Sequence, residues 1–302
     1  EQGLCIYRDG NNWYRFSDGK HGFPVDLVED RLGCSREQAL DFIARYVVNG
    51  VSEQVNIPRR TAQPKPEKPQ GFSPPAHDVS PRRVMAYLIK TRGIDPEIVK
   101  AMIQRKMIAE DSVHHNCLFF GRDENGVIRS CALRGSTDVK FRGEAPGGDK
   151  SCTFAMVGHN DVLRLFESPI DAMSHATFTK LLGKDWTADH RLSVNGSGNY
   201  ESIKRYLANH TEIKSVWFCY DSDQAGQDGA EASSVRIFED FPDRELSVMF
   251  CSPVKNKDWN EALQLFRVLE SHGVTVREFL APTEFQSIPP PDCEQDEFEC
   301  EL

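Results

Sequence analysis

From about residue 161 onward, the chain repeats one pattern four times: a short apolar run with strand character, then a longer stretch with apolar residues at helical spacing. The apolar runs are VLRLFE, RLSVNG, IKSVWFCYD and ELSVMF, and the stretches that follow them begin PIDAM, YESIK, AGQDG and DWNEA. Strands that alternate with helices of this length are typical of a parallel sheet with right-handed crossovers. The pattern therefore predicts an α/β domain over residues 161–281, a parallel sheet flanked by helices.

The residues before this repeat follow a different pattern. PRRVMAYLIKTRGIDPEIVKAMI predicts two helices that are separated at Gly93. NCLFFGRDENGVIRSCALRG then predicts a β-hairpin whose turn contains Asn125-Gly126. We therefore expect a small α+β subdomain over residues 81–160.

The two ends of the chain differ from this central part. Residues 1–56 predict a small domain in which a hairpin with glycine turns is followed by helices, the last of them the amphipathic REQALDFIARYV. Residues 57–80 contain six prolines and few large apolar side chains, which is typical of an extended, solvated linker. Residues 282–302 are Pro-rich and then acidic, and this composition predicts a disordered tail.

Composition narrows the class of protein. The 302 residues are 39% hydrophobic, and no apolar run approaches the roughly 18 residues that a membrane span needs. The first residues lack the apolar core of a signal peptide, so we expect a cytoplasmic protein without a membrane partner. The nine cysteines are scattered singly with no CxxC pair, which favours buried free thiols, and no structural zinc is expected.

Charge is unevenly distributed along the chain. The net charge of -10 argues against a protein that coats nucleic acid nonspecifically. Residues 81–142, however, contain twelve Lys and Arg against seven Asp and Glu. A local basic surface of this kind can bind phosphate despite the acidic total.

Two acidic clusters follow apolar runs of the repeat. Glu167 and Asp171 come after the first run, and Asp221 and Asp223 come after the third. The carboxyl ends of parallel strands meet at one edge of a sheet, where these carboxylates would repel one another unless a cation lay among them. Hard oxygen ligands suit Mg²⁺ or Mn²⁺. Each pair alone could simply begin a helix, but their joint order favours a metal site.

The order of these motifs resembles the Toprim domain of primases, topoisomerases and related nucleases. FESPID and YDSDQAGQDGA are similar to the primase form in particular, and the glycines of NGSG stand between them. The resemblance implies that Glu167, Asp221 and Asp223 are catalytic and hold a metal ion. Asp171 and Asp258, the latter in KNKDWNEAL, would assist with a second ion. Gly196 and Gly198 could form a plain turn or admit a nucleotide phosphate.

The likeness extends upstream to the catalytic core of bacterial DnaG-type primases. YLIKTRGIDPEIV, the hairpin and VKFRG resemble successive segments of that core, which implies that Arg134, Lys140 and Arg142 face template or nucleotide phosphate. Residues 1–56 resemble the primase zinc-binding domain, but the family's cysteine and histidine ligands are not in place. The combination is most similar to primase-related Toprim proteins of plasmids and conjugative elements.

Three functions are compatible with these residues. The first is a primase-like nucleotidyltransferase that uses nucleoside triphosphates on a single-stranded DNA template, with a helicase or relaxase as a possible partner. The second is a Toprim nuclease, in which water replaces the attacking hydroxyl. The third is a nucleic-acid-binding accessory module without turnover. Fold alone does not choose among them.

Overall fold

A computed structural model describes residues 4–7, 12–15, 20–49, 72–78, 80–137, 141–253, 256–280 and 286–287. The chain divides into two compact units, Glu1–Glu67 and Lys68–Leu302. Among the described helices, none combines the length and the apolar content that crossing a bilayer requires.

The first unit contains a small antiparallel sheet and two helices. Its elements are β1 (Leu4–Tyr7), β2 (Asn12–Arg15), β3 (His21–Gly22), α1 (Pro24–Leu32) and α2 (Arg36–Asn49). Trp13 is buried and its indole N–H donates to the Phe23 carbonyl at 2.9 Å, which ties the sheet to the start of α1. Gly33 ends α1 in the left-handed conformation, with φ of 63°. The hairpin and the helices that the sequence predicts are both present.

The second unit begins with two helices. These are α3 (Arg82–Ala86), which continues as a π-helical turn over Tyr87–Thr91, and α4 (Pro96–Gln104). Gly93 separates them with φ of 72°, a conformation that favours glycine. The Asp95 carboxylate caps α4 by accepting from the Glu97 N–H at 2.8 Å. The predicted interruption at Gly93 is therefore confirmed.

A five-stranded antiparallel sheet accompanies these helices. Its strands, in spatial order, are β4 (His77–Asp78), β5 (Ile108–Asp111), β6 (Cys117–Arg122), β7 (Ile128–Arg134) and β8 (Arg142–Glu144). The predicted hairpin is β6 and β7. β4 lies within the predicted linker. It pairs with β5, so the backbone groups on that side of β5 have hydrogen-bond partners. Residues 57–71 and 79 of that linker lie outside the described residues.

The repeating region forms a mostly parallel sheet. Its spatial order is β14 (Gln286–Ser287), β13 (Ser247–Phe250), β12 (Ser215–Phe218), β10 (Val162–Phe166), β11 (His190–Ser193) and β9 (Ala155–Met156). The four central strands are parallel, and β9 and β14 pair antiparallel at the edges. The predicted α/β fold is confirmed. The acidic composition did not indicate β14, and the rest of the predicted tail lies outside the described residues.

Helices cover both faces of this sheet. They are α5 (Pro169–Leu181), α6 (Tyr200–Asn209), α7 (Gln224–Asp240), α8 (Trp259–Glu270) and α9 (Val276–Leu280). α5 and α8 share a core with α3, α4 and the antiparallel sheet, whereas α6 and α7 bury a second core on the opposite face. Because the strands are buried on both faces, their sequences are largely apolar runs and do not alternate between apolar and polar residues.

Candidate functional site

Three loops meet at the carboxyl edge of the parallel sheet, defined here as the ends of β10, β11 and β12. β10 lies between the other two strands and pairs with both in parallel register. Glu167 directly follows β10, Gly196 lies three residues after β11, and Asp221 lies three residues after β12. The predicted runs were longer than the strands, so the acids and glycines stand in loops beyond the strand ends.

Glu167 contacts both neighbouring loops. Its side-chain Oε1 accepts from the Asp221 N–H at 3.3 Å, and its carbonyl accepts from the Gly196 N–H at 3.1 Å. Burial raises the pKa of Glu167, and the charge of Asp223 raises it further, while the Asp221 N–H and the charge of Arg142 oppose this. Glu167 is thus fixed at the centre of the carboxyl edge.

Asp221 is a crowded carboxylate with little compensation. Burial raises its pKa to about 8, and the charges of Glu167, Asp171 and Asp258 contribute to this rise. The Lys257 ammonium, 3.9 Å from Asp221 Oδ2, opposes it. The protein therefore holds the charged form of Asp221 at a cost that a bound cation would relieve.

Asp223 has a more exposed position and two favourable partners. It caps α7, with Oδ1 accepting from the Gly226 N–H at 3.0 Å. Its Oδ2 lies 3.0 Å from Lys257 Nζ. The backbone bond from Gly226 and then the Lys257 ammonium lower the pKa of Asp223. Asp223 therefore both caps α7 and lies beside the other acids.

Asp171 lies in the first turn of α5 and is already committed to hydrogen bonds. Its Oδ2 accepts from Ser168 Oγ at 2.5 Å, and its Oδ1 accepts from the Asn260 N–H at 3.0 Å. Burial raises its pKa to about 7, and the charge of Asp258 adds to the effect. Asp258 itself caps α8 by accepting from the Glu261 N–H at 2.7 Å. These two acids join α5 to α8 next to Asp221.

Gly226 is required by close packing between the acids. A Cβ at this position would lie 2.3 Å from the Asp221 carbonyl oxygen and 2.9 Å from Glu167 Oε1. These separations are far below van der Waals contact, so a side chain here would push the two loops apart. Steric crowding thus explains why a glycine stands at position 226 in the run of small residues after Asp223.

The predicted phosphate-binding residues are brought together only in part. Arg142 approaches the carboxyl edge: its Nη2 lies 4.0 Å from the position of a Cβ on Gly196, and its charge lowers the pKa of Glu167. Gly196 has φ of 117°, which favours glycine. Arg134 lies opposite Arg142 in the register between β7 and β8. Burial raises the pKa of the Cys117 thiol, and the charge of Arg134 opposes this rise.

The remaining predicted residues are Gly198 and Lys140. A Cβ on Gly198 would meet no atom within 4 Å among the described residues, so nothing steric requires glycine there. Lys140 lies outside the described residues.

Sequence reasoning missed Lys257. Its Nζ supplies the cationic charge that lies between Asp221 and Asp223. The residue immediately precedes Asp258 in KNKDWNEAL, and that adjacency is the signal that could have revealed it.

The acids have the chemistry of a hard-cation site, since they offer carboxylate oxygens. Burial and neighbouring carboxylates raise the pKa values of Glu167 and Asp221. Their oxygens are not drawn tightly together. Among the described residues, the sets of three ligand atoms lying within 4.8 Å of one another are His190, His210 and Glu212, and Asp78, Glu110 and His115. Glu167, Asp221 and Asp223 therefore fit a divalent cation by donor type, but their oxygens would have to move closer together to share one.

Comparison with protein families agrees with this arrangement. Residues 164–263 match the family described as Toprim-like, and residues 86–160 match a family described as a protein of unknown function, DUF3991. The Toprim-like match contains every predicted acidic residue from Glu167 to Asp258. The chain therefore contains a Toprim-like domain over residues 164–263.

One relative and several solved structures are also similar to the chain. The uncharacterized protein pXO2-78 of Bacillus anthracis is 31% identical over 238 residues, which cover 74% of this chain and 66% of that protein. The primase fragment of the bacteriophage T7 primase-helicase is 15% identical, with 90% and 92% of the two chains covered and a TM-score of 0.46. The Aquifex aeolicus primase fragment is 13% identical, with 94% and 76% covered and a TM-score of 0.43.

Proposed function

We propose that the protein is a primase-like nucleotidyltransferase that carries out metal-dependent phosphoryl transfer on single-stranded DNA. The observation that carries this proposal is the pairing at the carboxyl edge: Glu167 accepts from the Asp221 N–H, while burial and then the charge of Glu167 raise the pKa of Asp221 to about 8. Acids whose pKa values are raised by burial and by neighbouring charge are characteristic of sites where charge is needed for chemistry. The Toprim-like family match over residues 164–263 supports the same function.

The chemistry explains why acids would be useful here. In nucleotidyl transfer a 3′ oxygen attacks an α-phosphorus and pyrophosphate leaves, so catalysis depends on positioning and on neutralising negative charge. Glu167, Asp221 and Asp223 would hold Mg²⁺ or Mn²⁺, which neutralises charge on the reacting phosphate when it is bound. Asp171 and Asp258 would assist, because their bonds fix the start of α8 beside Asp221.

The basic residues provide the opposite side of the site. Arg142 lies next to the Gly196 loop, where a side-chain guanidinium and an open backbone can both approach a phosphate group. Arg134, one strand away, and Lys140 and Gly198 would extend this surface towards template or incoming nucleotide. Nucleoside triphosphates and a single-stranded template are the substrates that this division of charge suits, and a helicase or relaxase would be a separate partner.

Template-directed synthesis tests the proposal directly. The full chain is incubated with single-stranded templates of varied sequence, labelled ribonucleotides, and Mg²⁺ or Mn²⁺, and products are resolved on a denaturing gel. Glu167→Gln should abolish product. Glu201→Gln is the matched control, because Glu201 lies exposed on α6 and its ion pair is with Arg236 rather than with a residue of the site. A folded wild-type chain that yields no product with either metal would refute the proposal.

Lys257 favours a second function, nucleic-acid cleavage. Nuclease sites often place a cation near the scissile phosphate, and the Lys257 ammonium lies 3.0 Å from Asp223 Oδ2. Water would then be the attacking group, and the same acids would serve.

The two functions are separated by labelling the template rather than the nucleotides in the same reactions. Metal-dependent shortening of the template, lost in Glu167→Gln, would indicate cleavage. Binding of the strand without synthesis or cleavage would indicate an accessory module.

A further inference from the structure

Three metal-ligating side chains converge at the amino edge of the parallel sheet, the edge opposite Glu167. His190 is the first residue of β11, His210 directly follows α6, and Glu212 lies in the loop that leads to β12. One ligand atom from each of them lies within 4.8 Å of the other two. The residues come from the start of β11 and from the separate loop between α6 and β12, so their meeting is a product of the fold.

His190 is buried and has an unused ring nitrogen. The residue is 1% exposed, and its Nδ1 is hydrogen-bonded to Tyr206 Oη at 2.9 Å. Its Nε2 has no hydrogen-bond partner and lies 3.9 Å from Glu212 Oε1, too far for a hydrogen bond. The Asn160 carbonyl faces the ring without reaching hydrogen-bonding geometry. A buried polar atom aimed at a carboxylate in this way needs a partner between them.

The loop that carries the other two residues is firmly held. The Arg244 guanidinium donates to the carbonyls of Leu207, His210 and Ile213, at 2.7, 3.2 and 2.6 Å. The Tyr206 ring stacks on His210 with centroids 4.2 Å apart. A site whose ligands are fixed by surrounding contacts loses little freedom on binding an ion.

We propose that His190, His210 and Glu212 bind a Zn²⁺ ion that joins the α6–β12 loop to β11. Two imidazoles and a carboxylate suit Zn²⁺ and disfavour Mg²⁺, which prefers oxygen ligands. Atoms that each lie about 2.1 Å from an ion can be about 4 Å apart, so the 3.9 Å between His190 Nε2 and Glu212 Oε1 is within reach. Zinc would replace the present hydrogen bond between His210 Nδ1 and Glu212 Oε1, which is 2.8 Å long.

Tyr206 and the exposure of Glu212 complete the match to a three-ligand site. A ligating histidine is usually oriented by donating its second ring N–H, and Tyr206 Oη, 2.9 Å from His190 Nδ1, is placed to accept such a bond. The Glu212 side chain is 52% exposed, which leaves water access to a fourth coordination position. The absence of CxxC pairs therefore does not bear on this site, because its ligands are assembled from distant residues.

The second cluster, Asp78, Glu110 and His115, does not carry the same inference. Glu110 is saturated: its Oε2 accepts from the Arg83 and Val84 N–H groups at 3.0 and 3.3 Å, and its Oε1 lies 2.9 Å from His115 Nδ1. No buried atom of this cluster is among the unpartnered side-chain atoms of the described residues. It therefore reads as a hydrogen-bonded link between α3 and β5.

Zinc titration of the full chain tests the proposal. The protein is treated with EDTA, desalted, and titrated calorimetrically in reducing buffer with excess Mg²⁺, so that the acids of the carboxyl edge are supplied with their own ion. Wild type should bind one equivalent, and its Tm should rise by roughly 5 °C at saturation. His210→Gln with Glu212→Gln should weaken binding at least about 100-fold and remove the Tm rise. This double variant spares buried His190, and circular dichroism checks its fold.

Two matched variants and one spectrum make the result decisive. His115→Gln tests the second cluster, and His159→Gln tests an exposed histidine that lies near Asp185; both should bind zinc as wild type does. Co²⁺ in place of zinc should give visible absorption without the intense near-ultraviolet band of thiolate ligation. Unchanged binding by the folded double variant, loss of binding in His115→Gln, a thiolate band, or no stoichiometric binding by wild type would each overturn the proposal.

Discussion

The two edges of the parallel sheet shift the pKa of an aspartate in opposite directions. Asp221 at the carboxyl edge and Asp189 just before β11 have side chains that are equally exposed, at 17%. The pKa of Asp221 is raised to about 8, by burial and then by neighbouring carboxylates. Burial would raise the pKa of Asp189 as well, but hydrogen bonding to Arg164, the charge of Arg164 and a bond from Asn160 lower it overall.

The difference lies in the partners, because burial is the same. Arg164 Nε donates to Asp189 Oδ2 at 2.5 Å, and the Arg164 guanidinium also lies 4.7 Å from the centroid of the Trp217 ring. Asp189 is thus a completed structural pair. Asp221 faces three other acids and only a distant Lys257, so its pair is incomplete without a cation. The comparison teaches that a buried acid at a strand end indicates function only when its counter-charge is missing.

The largest effect that this comparison predicts is on activity. Asp221→Asn keeps the shape of the side chain but removes its charge, so we expect synthesis or cleavage to fall by about 10²–10³-fold while the folded state is retained. Turnover by purified protein, together with urea unfolding, measures both quantities. Asp228→Asn is the control, because Asp228 lies exposed on α7 and bonds Gln224. Equal turnover in the two variants would break the comparison.

Asp189→Asn should lower the stability of the fold and leave the activity unchanged. We expect the free energy of unfolding to fall by about 2 kcal/mol, because Arg164 is left without its carboxylate. Activity per folded molecule should be retained. The pH dependence follows from the pKa, which lies below the unfolded value of 3.8. The contribution of Asp189 is therefore present above about pH 4 and lost as pH falls through its folded pKa. Urea unfolding from pH 3 to pH 7 should show a weaker acid dependence in the variant, and an unchanged profile would speak against the pair.

In the metal-free protein the carboxyl edge should give the opposite pH dependence. Asp221 has a folded pKa of about 8 against 3.8 unfolded, so the folded state binds more protons between these values and stability falls as pH rises. We expect the Tm in EDTA to fall by roughly 5 °C from pH 5 to pH 8, with a smaller fall in Asp221→Asn. Mg²⁺ should reverse the fall in wild type only. Identical pH profiles for the two proteins would contradict this electrostatic account.

The smallest effect is expected for Lys257→Gln. Lys257 is 56% exposed, and an exposed ion pair is worth little, so stability should be nearly unchanged. Removing its ammonium leaves Asp221 and Asp223 with less compensation, so we expect the Mg²⁺ concentration for half-maximal activity to fall by about 2–5-fold. If Lys257 instead contacts a scissile phosphate, activity at saturating Mg²⁺ would drop by more than about tenfold. A metal titration of turnover distinguishes the two roles.

Much of this site could be predicted from sequence because its determinants are local. An apolar run followed by an acid predicts a strand end, and the small residues after Asp223 predict a helix that starts there. The two helices around Gly93 and the order of strands and helices from residue 161 follow from the same local patterns. Spacing therefore predicted that Glu167, Asp221 and Asp223 follow strand ends, and the resemblance to the Toprim domain implied that these three are the catalytic acids.

The remainder depends on contacts between residues distant in sequence. Asp171 accepts from the Asn260 N–H, 89 residues away, and this bond occupies an oxygen that the sequence left free for a metal. The sequence directed attention to Asp258 and not to the adjacent Lys257, whose contacts with Asp221 and Asp223 depend on the fold. β4 forms within a stretch whose prolines predicted a linker. No local pattern reports such pairings, since tertiary packing decides them.

The central claim is that the acids at the carboxyl edge hold a divalent cation, and Mn²⁺ binding measured by electron paramagnetic resonance tests it most directly. Wild type and Asp189→Asn should bind Mn²⁺ with the same affinity, whereas Asp221→Asn and Glu167→Gln should lose this binding. If all four folded proteins bound Mn²⁺ equally, or if Asp189→Asn alone lost it, the assignment of the cation to Glu167 and Asp221 would be wrong.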